Sequence, residues 1–286
     1  RYYETVGKPM IHQKFPEYEQ RIAVGLVGDG SECYGFDDDL SKDHDFGPGF
    51  CMWLTKEDYA EIGTALQQAY EALPKTFLGV PSRKTTAYGT GRVGVREIES
   101  FYCELMETEE MPGTIGGWMA LSEPGLSAAV NGAVFRDDFG LFTRIRTELQ
   151  KGFPAQVKLR KLAQNIALMA QAGQYNYSRC LAREDTVAAA MALYTFMDAA
   201  MSAVYLLNNA YAPFYKWKHR QMKELPKLSE ISTEIENLAD SKTAASAKTE
   251  IIEQICRRVL DEVKAQGMTE GDETFLEVHA QRILHQ

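Results

Sequence analysis

The chain has 286 residues, 45% hydrophobic and 25% charged, which places it in the globular range with enough length for one large domain or two ordinary ones. Its net charge of −9 argues against a protein that coats nucleic acid, a task that needs a basic face. Cys33, Cys51, Cys103, Cys180 and Cys256 are scattered and odd in number, without a Cys-x-x-Cys pair, and no run approaches the roughly 18 apolar residues of a membrane span. A soluble, cytoplasmic protein with reduced thiols is expected.

In chain order, Ile22 to Val27 reads as a buried strand that ends at the Gly28-Asp29-Gly30 turn. A second strand is expected from about Asp43 through Phe50 to Leu54, although Gly47-Pro48-Gly49 interrupts it and proline lacks a ladder donor. Thr55-Lys56-Glu57-Asp58 has the form of a capping box, and the helix it opens is expected to run to about Leu73, ahead of Pro74. A third strand is expected over Gly94 to Phe101. Beyond about residue 150 helical spacing replaces strand signals. Pro154 suits a first turn ahead of Val157, Leu162, Ile166 and Met169. Val187, Met191, Tyr194, Met197, Met201 and Val204 mark one face of a long helix ending near Asn208-Asn209, and such a stripe is read as core filling. Residues 229 to 249 suggest an exposed connection of weak helical character, and a final helix is expected over about 248 to 266.

The chemistry is concentrated in Gly28-Asp29-Gly30-Ser31, eleven further residues, and then Asp43-His44-Asp45. In an extended strand, side chains two apart share a face, about 6 to 7 Å from each other. Asp43 and Asp45 so placed can hold two magnesium ions about 3.5 to 4 Å apart, the clamp used in phosphoryl chemistry. Gly30 lets the backbone approach phosphates closely, and Ser31 offers a hydroxyl and an N–H. The five aspartates between 37 and 45 do not make a calcium loop: counted from Asp37 or Asp43, no glycine stands sixth and no glutamate twelfth.

This pattern resembles the nucleotidyltransferase superfamily that includes DNA polymerase beta and the aminoglycoside nucleotidyltransferases, whose signature is Gly-Ser, about ten residues, then Asp-x-Asp. His44 departs from it, since the intervening residue is usually apolar there. The segment from Gly25 to Phe50, together with Gly173-Gln174-Tyr175-Asn176-Tyr177 and Tyr211 to Trp217, is also similar to a bacterial family known as a domain of unknown function. The superfamily resemblance implies a third carboxylate on a later strand, for which Glu97 is the expected residue and Glu99 the rival. It implies too that a basic residue of the helical half, Lys216, reaches the triphosphate.

The expected architecture is α+β, with a small mixed-sheet nucleotidyltransferase domain over residues 1–152 and a helical substrate-binding domain over 153–286. The expected activity is magnesium-dependent transfer of a nucleoside monophosphate, AMP foremost, from ATP or another nucleoside triphosphate to an acceptor hydroxyl, with pyrophosphate leaving. Asp43, Asp45 and Glu97 would serve as metal ligands and catalytic carboxylates; Gly30, Ser31 and Lys216 would bind the nucleotide. A small-molecule acceptor is favoured over a protein and nucleic acid is disfavoured by the acidic charge. The alternatives are a protein adenylyltransferase of antitoxin type and a nucleotide-binding module without turnover. Gln174, Asn176, Tyr177 and Arg179 either line an acceptor pocket or satisfy helix ends.

Overall fold

The computed structural model describes residues 1–42, 46–81, 83 and 92–285. The architecture is α+β, and the chain divides into two compact units: Arg1–Gly113 with Ala120–Lys151, and Thr114–Met119 with Gly152–Gln286.

In the first unit, α1 (Lys8–Lys14) precedes β1 (Ala23–Leu26), a short helix α2 (Ser31–Tyr34), β2 (Cys51–Leu54) and α3 (Lys56–Glu71). The two-residue strands β3 (Thr76–Phe77) and β4 (Val80–Pro81) pair with each other, and β5 (Gly94–Glu97) leads directly into α4 (Ile98–Met106). Helix α5 (Ile115–Ala120) falls almost wholly to the second unit; α6 (Glu123–Val130), β6 (Ala133–Arg136) and α7 (Leu141–Leu149) complete the first. The sheet order is β5-β2-β1-β6. β1 is antiparallel to both its neighbours, with Gly25 opposite Cys51, while β2 and β5 are parallel, with Cys51 opposite Gly94 and Leu54 opposite Glu97.

Both faces are covered at the central strands β1 and β2, which is why these two read as continuous apolar runs rather than alternating ones. Val24, Met52, Leu54 and Val95 point to one face, packed with Met10 and Ile11 of α1 and Ile62 and Leu66 of α3. On the other face Trp53 stacks on Phe142 of α7 at 3.9 Å and meets Phe101 of α4 edge-on at 5.2 Å. The capping residue of α3 is Thr55, whose hydroxyl accepts the Asp58 N–H at 3.2 Å, as its sequence form predicts.

Two strand expectations change. The strand expected from about Asp43 begins only at Cys51; Asp43, His44 and Asp45 lie outside the described residues, and Gly47, at φ +149°, breaks extension ahead of it. The strand expected to reach Phe101 stops at Glu97, because Glu97 caps a helix whose buried residues Ile98, Phe101 and Tyr102 have helical spacing.

The second unit is all helical: α8 (Ala155–Leu168), a π-helical turn over Met169–Tyr177, α9 (Ser178–Ala182), α10 (Thr186–Leu207), α11 (Tyr215–Met222), α12 (Ile231–Ala239), α13 (Ala245–Ala265) and α14 (Leu276–Leu284). Val157, Leu162, Ile166 and Met169 are all fully buried, as their spacing predicts. By length and composition α10 could cross a membrane, but here Phe196, Ala200, Ala203 and Val204 sit in the core of this unit. Its N-terminal stripe does not: Val187, Met191 and Tyr194 are 70%, 67% and 61% exposed, so half the expected core face stays largely uncovered by the described residues. The connection expected over 229–249 contains α12, which buries Ile231, Ile235 and Leu238. Its Ser- and Glu-rich exposed face masked that spacing.

Candidate functional site

β1 delivers the chain into the Gly28–Ser31 turn at its C-terminal end. Because β1 and β2 are antiparallel with Gly25 opposite Cys51, this is the end at which β2 begins. The turn is held open by one side chain: Asn131 accepts the Gly28 N–H at 3.0 Å and donates to its carbonyl at 2.8 Å. Gly30 stands just before α2 in extended conformation, and Ser31 is the first residue of that helix. The Ser31 hydroxyl donates to Asp37 at 2.7 Å. Glu32 folds back over the turn, its carboxylate 2.2 to 2.7 Å from where a Cβ on Gly30 would stand, and accepts from the Arg83 guanidinium at 2.6 Å. The nearby thiols are no nucleophiles. Burial pushes Cys33 upward and takes Cys51 up to about 12, so both stay protonated at neutral pH.

Of the residues expected to form the site, Gly30 and Ser31 are brought together as neighbours on this turn. Asp43 and Asp45 lie outside the described residues. Glu97 is not brought to the turn. It ends β5 opposite Leu54, three residues and about 10 Å along the parallel pair from Gly94 opposite Cys51, at the far end of the sheet. There its carboxylate caps α4, accepting from the Glu99 N–H at 2.9 Å, the Ser100 N–H at 2.7 Å and the Ser100 hydroxyl at 2.5 Å. Burial would raise its pKa, but these hydrogen bonds from Ser100 and Glu99 outweigh it and hold the carboxyl below its ordinary value. The rival, Glu99, lies two residues further on, in the first turn of α4 at the same rim. Both line an acidic groove of about 1040 Å³ with Glu104, Glu107 and Lys56.

Lys216 belongs to the second unit, in the exposed first turn of α11, with its ammonium 4.4 Å from the centre of the Trp217 ring. In the same unit Gln174 is fully engaged: its amide donates to Glu253 at 2.9 Å and to the Thr274 carbonyl at 3.1 Å, and its oxygen accepts the Leu276 N–H at 2.9 Å. Tyr177 is buried, and Arg179 lies 4.6 Å over the Tyr175 ring. Helix bracing accounts for Gln174. Among the described residues, no group of three His, Cys, Asp or Glu side chains is placed to hold a metal. Sequence reasoning missed Glu32, Asp37, Arg83 and Asn131, the last 103 residues from the glycine it holds.

Residues 118–218 match a family described as a domain of unknown function, DUF4037. The match lies wholly after the Gly30 to Asp45 motif, so the two observations are independent. No curated protein matches the chain. Among solved structures, the chain is similar to a nucleotidyltransferase-like protein from Exiguobacterium sibiricum 255-15. The TM-score is 0.40 at 10% identity, covering 98% of this chain and 90% of that one.

Proposed function

We propose that the protein is a magnesium-dependent nucleotidyltransferase that moves a nucleoside monophosphate, AMP foremost, from a nucleoside triphosphate to a hydroxyl of a small-molecule acceptor, releasing pyrophosphate. The observation that carries this reading is the spacing of Gly30-Ser31 and Asp43-x-Asp45, in a chain whose glycine-serine turn leaves β1 at the end where β2 is entered. The donor chemistry fits: paired aspartate carboxylates are the hard oxygen ligands that magnesium takes. Asp43 and Asp45 would hold the metal, which when bound neutralises charge on the phosphates.

The contribution of the chain is positioning. Gly30 admits the phosphates to the backbone, and the Ser31 hydroxyl exchanges Asp37 for a phosphate oxygen. Asn131 keeps the turn in shape by bonding both polar groups of Gly28. Glu97 is left to its helix, since its oxygens already take three donors. The reading rests on the first unit alone.

The test is a titration with ATP, with and without magnesium, read by thermal shift and by pyrophosphate release. Magnesium-dependent stabilisation is expected for the wild type and its loss is expected in both Asp43→Ala and Asp45→Ala. Wild-type metal-dependent affinity in both variants refutes the proposal.

A further inference from the structure

We propose that Arg83 is a phosphate-binding residue, whose buried guanidinium takes an anionic oxygen of the ligand held at the Gly28–Ser31 turn. The inference deepens the nucleotidyltransferase reading and relies on it for the identity of that ligand. It begins from a hydrogen-bonding deficit. The Arg83 side chain is only 7% exposed, yet among the described residues its ion pair is to Glu32 and engages Nη2 alone. Nε and Nη1 are buried and have no hydrogen-bond partner among the described residues. Guanidinium carries five N–H donors and cannot shed its charge, so a buried one with two idle nitrogens lacks an acceptor.

The deficit lies at the motif. Glu32 links the two: its carboxylate rests against the backbone of Gly30 and holds Arg83 by the other side. The backbone of Arg83 is pressed against Gly47, two residues past Asp45. A Cβ on Gly47 would stand 2.6 Å from the Arg83 nitrogen and 2.9 Å from its Cα. Arg83 is thus wedged between the glycine turn and the segment that follows the aspartates, although it lies 51 residues from Glu32 in sequence. An acceptor for its idle donors has to be small, anionic and rich in oxygen, and a phosphate group of a nucleotide answers to all three. Glu32 then acts as the residue that aims the fork and offsets part of its charge.

Inorganic pyrophosphate is the probe, titrated calorimetrically, with magnesium and ATP titrated in parallel and folding checked by circular dichroism. Arg83→Gln is expected to weaken pyrophosphate binding by about tenfold or more, the scale of a lost charge-assisted fork. Glu32→Gln keeps an acceptor oxygen but removes a negative charge beside the anion, so it is expected to bind pyrophosphate severalfold more tightly. A merely structural ion pair would not produce that gain. Unchanged affinity in Arg83→Gln, or equal loss in both variants, overturns the role of Arg83 while leaving the nucleotidyltransferase reading in place. Arg83-dependent pyrophosphate binding without any magnesium-dependent ATP binding does the reverse. No binding of either probe by the wild type overturns both. Should Arg83→Gln fail to fold, wild-type or weaker affinity in folded Glu32→Gln is sufficient to reject the proposal.

Discussion

Replacing Glu97 with alanine separates two roles for one carboxylate, as helix cap and as metal ligand. The cap has three bonds, at 2.9, 2.7 and 2.5 Å, to the Glu99 N–H, the Ser100 N–H and the Ser100 hydroxyl. Loss of a capping side chain costs about 0.5–2 kcal/mol. Partial burial and three donors put this one in the upper half, about 1–2 kcal/mol, or roughly 2–8 °C in melting temperature for a unit of this size. Helix α4 carries buried Ile98, Phe101, Tyr102 and Met106, so a frayed first turn loosens the wall against which Trp53 packs. Urea denaturation followed by tryptophan fluorescence reads this directly, and Glu97→Asp, a good cap in its own right, should recover most of the loss. The pH dependence has a definite sign. A carboxyl held below its ordinary pKa stabilises fully above the unfolded value, about 4.3, and loses that contribution as pH falls through the lower folded value. The difference between wild type and Glu97→Ala should therefore close in acid. Magnesium-dependent ATP binding should not change. Wild-type stability combined with lost metal-dependent binding would refute the capping argument and return Glu97 to the metal.

Two further substitutions test the packing of each unit. In the first, a Cβ on Gly125 would stand 1.7 Å from the carbonyl oxygen of Leu105 and 2.7 Å from its carbon, both backbone atoms that cannot rotate away. Gly125→Ala should cost about 3 kcal/mol or more in urea denaturation, at or above the usual range for overpacking, while Gly113→Ala, which meets nothing within 4 Å, should stay near wild type. In the second, the buried Lys218 ammonium donates to Asp198 at 2.6 Å and Ser202 at 2.7 Å, whereas Asp198 is 66% exposed. Asp198→Ala leaves an ammonium buried without its counter-charge and should destabilise more than Lys218→Met, which leaves only a solvated carboxylate behind. The reverse order would show that Lys218 reaches water.

The parts of the fold legible in sequence were those whose cause is local. The apolar run that became β1, the Thr55 cap of α3 and the spacing of Val157, Leu162 and Ile166 on α8 each follow from residues within a turn or two. The end of β5 was placed too late because glutamate is a poor candidate for a cap, so the change from strand to helix at Glu97 carried no familiar signal. On α10, Val187, Met191 and Tyr194 share the spacing of the buried Met197 and Val204, but spacing defines a stripe and not how far a neighbouring helix extends along it. Of the candidate site, sequence supplied the glycine-serine turn. Asn131, Arg83 and the spending of Ser31 on Asp37 are tertiary facts without a local signature.

Sheet topology also says where a third acidic ligand would have to come from on the proposed reading. β5 runs parallel to β2, so the end of β5 that lies beside the glycine turn is its beginning, not its end. The chain there reads Arg92-Val93-Gly94, with the Arg92 carbonyl accepting from the buried Cys51 thiol at 3.2 Å and the Arg92 charge acting on Asp29 of the turn. β5 thus brings a cation to that end, where a ligand role would need a carboxylate. Its glutamates lie beyond Arg96, at the rim where the acidic groove opens. A strand only four residues long cannot serve both ends of the sheet. On the proposed reading, the carboxylates at this end of the sheet are those of the turn and of the connection after α2, where Asp37 accepts the Ser31 hydroxyl. A site built this way draws its groups from turns on either side of β1 and β2. That accounts for strand periodicity finding the frame of the site and none of the residues that complete it.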